Sequence, residues 1–159
     1  MEIVGIGIAW EDLPVGRRFR TLARTVTETD LVNFINTTGM VEVLFTDAEY
    51  AARHAPRGGR LVPGALVYAI AEGLLVQSTL QRTGLAFLSM TFDVKDPTFV
   101  GDTVHVVVEV LESRATWKDP NRGLVRTRNN IVNQRGETVI SYAPLRLSAG
   151  RTLRDSSGD

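Results

Sequence analysis

The sequence has no cysteine, only two histidines, His54 and His105, and only two lysines, Lys95 and Lys118. Lack of cysteine excludes thiolate nucleophiles, cysteine-ligated zinc, iron–sulfur clusters and disulfide frameworks. Two histidines leave little imidazole for general-base work near neutral pH, so proton transfer must draw on them or on carboxylates. No apolar run reaches the roughly 18 residues of a membrane span, because the longest, 63–76, is interrupted by Glu72. An excess of either charge is missing as well: 18 basic and 18 acidic side chains cancel. That balance excludes a general nucleic-acid surface, whose affinity depends on surplus cations. The opening MEIVGIGIAWEDLP lacks a basic n-region and meets Glu11 and Asp12 early, unlike a secretory signal. The expectation is a cytoplasmic protein with no membrane and no nucleic-acid partner.

What is present suits one domain. A length of 159 residues lies within the roughly 100 to 200 that a single core spans. Such a chain needs no disulfide or metal staple, and no metal site is expected. The domain is read as 1–150, with 151–159 (RTLRDSSGD) as a loose polar tail.

Periodicity supplies the elements. A strand is expected over 18–25, after the turn at Pro14 and Gly16. Thr27 followed three residues later by Asp30 resembles a capping box, and Leu31, Phe34 and Ile35 give the helix behind it one apolar face. Residues 36–45 read as a loop, and Asp47 as the cap of a short helix over 48–53 that carries His54 at its end. From Pro63 and Gly64 the chain reads ALVYAIAEGLLVQSTLQ, apolar on nearly every side, which predicts a buried helix. The period then changes to two. Leu88, Met90, Phe92 and Val94 alternate with polar residues, and strands follow over 103–110, 124–132 and 138–147. His105 falls on the polar side of its strand, and Pro144 suggests an edge or a bulge. The fold class is therefore α+β, an antiparallel sheet wrapped around one long buried central helix.

Short motifs then match a known family in order. They are Gly16-x-x-Phe19, Thr27-x-Thr29-Asp30, Tyr50-Ala51, Gly59-Arg60-Leu61-Val62-Pro63-Gly64, Pro97-x-Phe99-x-Gly101-Asp102-Thr103 and Asn133-Gln134-x-Gly136-Glu137. Over about 13–147 the chain resembles the MaoC-like dehydratases, the hot-dog-fold family that includes (R)-specific enoyl-CoA hydratases. The resemblance implies a homodimer or higher hot-dog oligomer, with an acyl-thioester tunnel between subunits. It also implies a substrate carried on coenzyme A or an acyl carrier protein, with no cofactor other than the coenzyme A of the substrate itself.

The family's catalytic signature is Asp-x-Asn-Pro-x-His-x-Asp. In register with Gly39 and Asp47, this chain reads Met40-Val41-Glu42-Val43-Leu44-Phe45-Thr46-Asp47. Met40 stands at the catalytic Asp position and Phe45 at the catalytic His position, and neither side chain accepts a proton. Glu42, a carboxylate in the same loop, becomes the expected catalytic residue. Met40, Phe45, Arg60 and Gly64 are the expected substrate-binding residues. Gly64 enters through its backbone, at a helix start whose free N–H groups suit a thioester oxyanion. The reading is a hydratase/dehydratase-like protein acting at the 2,3 position of an enoyl thioester. Two alternatives stand beside it: a non-catalytic acyl-thioester-binding or partner subunit, and a hot-dog thioesterase using Glu72.

Overall fold

Thr27 and Asp30 fix the start of the first helix as their spacing predicts. In the computed structural model, which describes residues 3–156, the Asp30 amide donates to Thr27 Oγ1 at 3.1 Å and the Thr27 amide to Asp30 Oδ2 at 2.9 Å. This reciprocal pair opens α1 (Glu28–Thr38). The helix stops at Gly39, whose φ of 73° is left-handed and favours glycine. Leu31 and Ile35 are its buried face.

Before α1 the expected strand is two short pieces, β1 (Arg18–Arg20) and β2 (Arg24–Thr25). Thr21 lies between them and keeps its own pairing, exchanging two 3.0 Å hydrogen bonds with the backbone of Val106. After α1 the chain makes α2 (Val43–Thr46) and α3 (Ala48–His54), then β3 (Leu61–Val62). The first of these short helices replaces the expected loop. Asp47 caps α3 by accepting from the Tyr50 amide at 2.9 Å, and His54 closes it with its ring stacked on Tyr50.

The long helix is α4 (Gly64–Leu75), continued by a π-helical turn at Val76–Leu80. Around it lie β4 (Gly84–Val94), the short β5 (Thr98–Phe99) and three long strands, β6 (Thr103–Ala115), β7 (Arg122–Val132) and β8 (Thr138–Ala149). The main sheet runs β1-β6-β7-β8-β4, with every pair antiparallel and β2 also on β6. A separate two-stranded ladder joins β3 and β5.

Alternation decides which side of each strand faces α4. Val104, Val106, Val108 and Val110 are buried, while Thr103, His105, Val107 and Glu109 between them are half-buried. Leu66, Val67, Ile70, Ala71 and Leu75 carry the buried face of α4 against them. The opposite face of the helix is open, with Ala65 and Ala69 exposed. Strand β4 is open too: Leu85, Phe87, Leu88, Met90 and Val94 are exposed, and its outer edge has no partner strand among the described residues. The half-buried strand expected there therefore has an apolar side that this single chain leaves uncovered.

Pro144 lies not at a sheet edge but in β8, between β7 and β4. Its missing N–H falls where recorded β7–β8 pairing skips from Arg126↔Leu145 to Asn129↔Tyr142. The tail is also more ordered than expected. Arg151–Ser156 form α5, and the Arg151 amide donates to Glu11 Oε2 at 3.1 Å while its guanidinium pairs with Asp12. The last tail positions, 157–159, lie outside the described residues.

Candidate functional site

A cleft of about 330 Å³ opens at the N-terminus of α4. Its apolar wall comes from Leu61, Val62, Val67, Val94 and Ile140, and its polar rim from Lys95, Asp96 and Thr98. Gly64, the first residue of α4, lines it as well. Pro63 precedes the helix with φ −56° and ψ 135°, so the chain turns into α4 without a capping side chain. The Pro63 carbonyl accepts from Leu66 N–H at 3.0 Å and Val67 N–H at 3.2 Å. The amides of Gly64 and Ala65 precede the first intrahelical bond, and the positive end of the helix dipole is added to them. An oxyanion in this cleft would meet donors already oriented.

Strand pairing brings a second segment to the same place. In the β3–β5 ladder Leu61 pairs with Phe99 and Val62 with Thr98. The backbone of Lys95 and Asp96 is tied to the Val139 carbonyl at 2.8 and 3.2 Å. A Cβ added at Gly64 would stand 3.5 Å from Val94 Cγ2, an ordinary contact that shows how closely the end of β4 approaches. Asp96 accepts from Arg57 Nη2 at 3.2 and 3.4 Å.

The other expected site residues form a different group. Glu42 is exposed and caps α2, its Oε2 accepting from the Leu44 amide at 2.7 Å. Its carboxylate serves its own helix and does not line the Gly64 cleft. Met40 is exposed, and its carbonyl accepts from the Glu42 amide at 3.0 Å. Phe45 is partly buried and packs against the main core. Arg60 joins this group to α1: its guanidinium donates to Glu28 at 2.7 to 3.1 Å and also to the Phe45 carbonyl. The hydrogen bonds from Arg60 hold the Glu28 carboxyl below its usual pKa. Arg60 is thus a clamp between α1 and α2, and it keeps the loop carrying Met40, Glu42 and Phe45 in place. Of the five expected residues, only Gly64 lines the cleft.

Asp102 steadies the floor beneath. Its carboxylate accepts from the Phe99 amide at 2.9 Å, Gln134 Nε2 at 2.7 Å and Arg135 Nη1 at 3.2 Å. Burial works to raise its pKa, but hydrogen bonds from Gln134, Phe99 and Arg135 outweigh it and hold the group below the usual carboxylate value. This explains the Pro97-to-Thr103 and Asn133-to-Glu137 motifs as one structural knot that sets β5 against β3.

Glu72, the other carboxylate weighed from sequence, lies further along α4 and has partners. Tyr142 Oη donates to its Oε1 at 2.7 Å, and Arg146 Nη2 contacts Oε1 and Oε2 at 2.7 and 2.6 Å. His105 is half-buried, and burial, then the charge of Arg20, lowers its pKa. Sequence reasoning passes over Asp96. Its only sequence signal is position, a carboxylate directly before the Pro97 that opens a recognised motif.

Residues 12–133 match the family described as MaoC like domain. A curated relative, 3-hydroxybutyryl-CoA dehydratase of Methylorubrum extorquens, is 31% identical over 103 residues, which is 65% of this chain and 64% of the relative. The alignment thus spans less than two thirds of that relative's length. The solved structure of a MaoC-like dehydratase from Rhodospirillum rubrum is 31% identical, with a TM-score of 0.77 over 91% of this chain and 99% of that one. A double-hotdog-fold protein from Mycobacterium tuberculosis matches 94% of this chain with 46% of its own, at a TM-score of 0.82 and 22% identity. That last likeness is one of fold.

Proposed function

We propose that this chain, which belongs to the MaoC-like domain family and has the hot-dog fold, adds water to or removes it from the 2,3 position of an enoyl thioester. The observation that carries this reading is the Gly64 cleft, where the first residue of α4, whose N–H precedes the first intrahelical bond, lines a pocket with one apolar wall. A thioester carbonyl set against that amide gains the donor that an enolate oxygen needs. The acyl group then lies along Val67, Val94 and Ile140, which line the same cleft. Coenzyme A enters as part of the substrate. Met40 and Phe45 give apolar surface where the family signature has its acid and base, and Arg60 holds that loop. The dehydratase relative supports this substrate class, as does the apolar and amide-lined character of the cleft.

The chain works as a pair of copies in this reading. The apolar residues of β4 and the Ala65 and Ala69 face of α4 are both exposed in the single chain, and a second copy covers both. The doubled arrangement of the Mycobacterium tuberculosis protein supports that pairing.

The test is incubation of the purified chain with a short enoyl-CoA, following the absorbance of the conjugated thioester. Loss of that absorbance without release of free thiol is the expected result. Free thiol would assign a thioesterase, and saturable binding without turnover would assign a binding subunit; either outcome overturns the reading.

A further inference from the structure

The family's acid and base positions are Met40 and Phe45 in this chain, and Glu42 spends its carboxylate on the α2 cap. The cleft still holds a carboxylate. We propose that Asp96 is the catalytic acid/base of this chain, an assignment that rests on the hydratase/dehydratase reading of the same cleft.

The placement follows from strand register. Leu61 pairs with Phe99 and Val62 with Thr98, antiparallel. The ladder ends two residues before Gly64 on one strand and starts two residues after Asp96 on the other, and both residues line the one cleft. A thioester held on the Gly64 amide therefore lies in the same cleft as the Asp96 carboxylate. Two backbone bonds to the Val139 carbonyl fix the Asp96 segment. Arg57 Nη2 lies 3.2 Å from Oδ2 and 3.4 Å from Oδ1, which orients the carboxylate and leaves lone pairs for a water. Arg57 itself has φ 57° and ψ 11°, a left-handed backbone unusual outside glycine, and it is followed by Gly58 at φ 60°. Arg57 is a positioning residue in this scheme.

The step balances without an added reagent. A water held by Asp96 gives a proton to the carboxylate as its oxygen bonds to C3. The C2–C3 π pair moves to C2 and into the thioester carbonyl, whose oxygen the Gly64 amide stabilises. C2 then takes the proton from Asp96, the carboxylate is regenerated, and one water has been added with no change in oxidation state overall. Dehydration is the reverse sequence.

The experiment compares Asp96→Asn, Asp96→Glu and Glu42→Gln with the unmodified chain on a short enoyl-CoA, using Glu49→Gln as a control. Binding of a saturated acyl-CoA is measured for each variant. Asp96→Asn should lower kcat at least about 100-fold, the lower end of what a positioned acid/base contributes, with acyl-CoA binding retained. Asp96→Glu should recover part of the rate. Unchanged kcat in Asp96→Asn, or a comparable loss in Glu42→Gln alone, overturns the assignment and leaves the hydratase reading standing. If the unmodified chain does not hydrate the enoyl-CoA, the reading itself falls and this proposal with it. Should Asp96→Asn lose acyl-CoA binding, Asp96→Glu decides: lowered kcat with binding intact supports Asp96, and wild-type kcat overturns it.

Discussion

Arg146 on β8 grips Glu72 on α4, with Nη2 2.7 Å from Oε1 and 2.6 Å from Oε2. Tyr142, four positions earlier on the same strand, adds its hydroxyl at 2.7 Å. Both charged side chains are mostly buried, 14% exposed for Arg146 and 18% for Glu72. Burial, and then the negative charge of Glu72, pushes the Tyr142 phenol far above its ordinary pKa, so it remains a donor. This bridge pins the middle of α4 to the sheet, and with it the helix start that forms the cleft.

Removing one partner leaves a buried charge without its counterpart. Glu72→Ala should lose about 3 kcal/mol of stability, the lower range for breaking a buried pair. Replacing both residues with apolar ones, Glu72→Leu with Arg146→Met, should cost less than the single change. Urea unfolding midpoints of the three proteins check this ordering.

Acid should loosen the knot around Asp102. Its folded pKa lies below the ordinary carboxylate value, so its contribution is complete above about pH 4 and disappears as pH falls through the folded pKa. Asp102→Asn should therefore be less stable near neutrality and show a shallower loss of stability in acid. Unfolding free energies measured from neutral pH down to pH 3 would show the difference in slope.

Gly123 is a close approach rather than a flexible point. A Cβ there would stand 2.3 Å from Trp10 Cγ and 2.5 Å from Trp10 Cδ2. Gly123→Ala should displace Trp10 and cost about 1 to 3 kcal/mol through overpacking. Trp117, the other tryptophan, is 88% exposed already, so a red shift in fluorescence reports Trp10 leaving its half-buried site.

The uncovered strand predicts an assembly. Met90 pairs with Pro144 on the inward side of β4 yet stays exposed in the single chain. Met90→Arg places a charge on the surface that the proposed pairing covers and should shift the protein to monomer. Sedimentation velocity distinguishes this from an unchanged species.

Much of the architecture is legible because local chemistry decides it. The Thr27–Asp30 box, the Asp47 cap and the alternation of Val104 to Val110 each need only neighbours in sequence. Residues 36–45 escape that logic: α2 depends on Glu42 folding back on Leu44, and a four-residue helix leaves no periodic signal. Pro144 misleads for a similar reason, since its missing donor is absorbed by a lapse in pairing with β7, which no residue beside it signals. The site divides along the same line. Gly64 is found from the helix start it occupies, whereas Asp96 reaches the cleft only through the β3–β5 register. Arg60 reads as a substrate-binding residue in sequence, and its partner Glu28 is 32 positions away.

The most direct test removes one backbone N–H donor from the cleft. Gly64 is the first residue of α4, where proline is favoured, and Pro63 before it already has the extended backbone that a following proline requires. Gly64→Pro therefore keeps the helix and deletes that N–H, while Gly64→Ala, which keeps the N–H, controls for the side-chain carbon added beside Val94. Single-turnover hydration of a short enoyl-CoA should slow by about 100-fold or more, the loss expected for an oxyanion donor, with the thermal midpoint close to that of the unmodified chain. An unchanged rate in a folded Gly64→Pro protein would contradict the placement of the thioester at the start of α4.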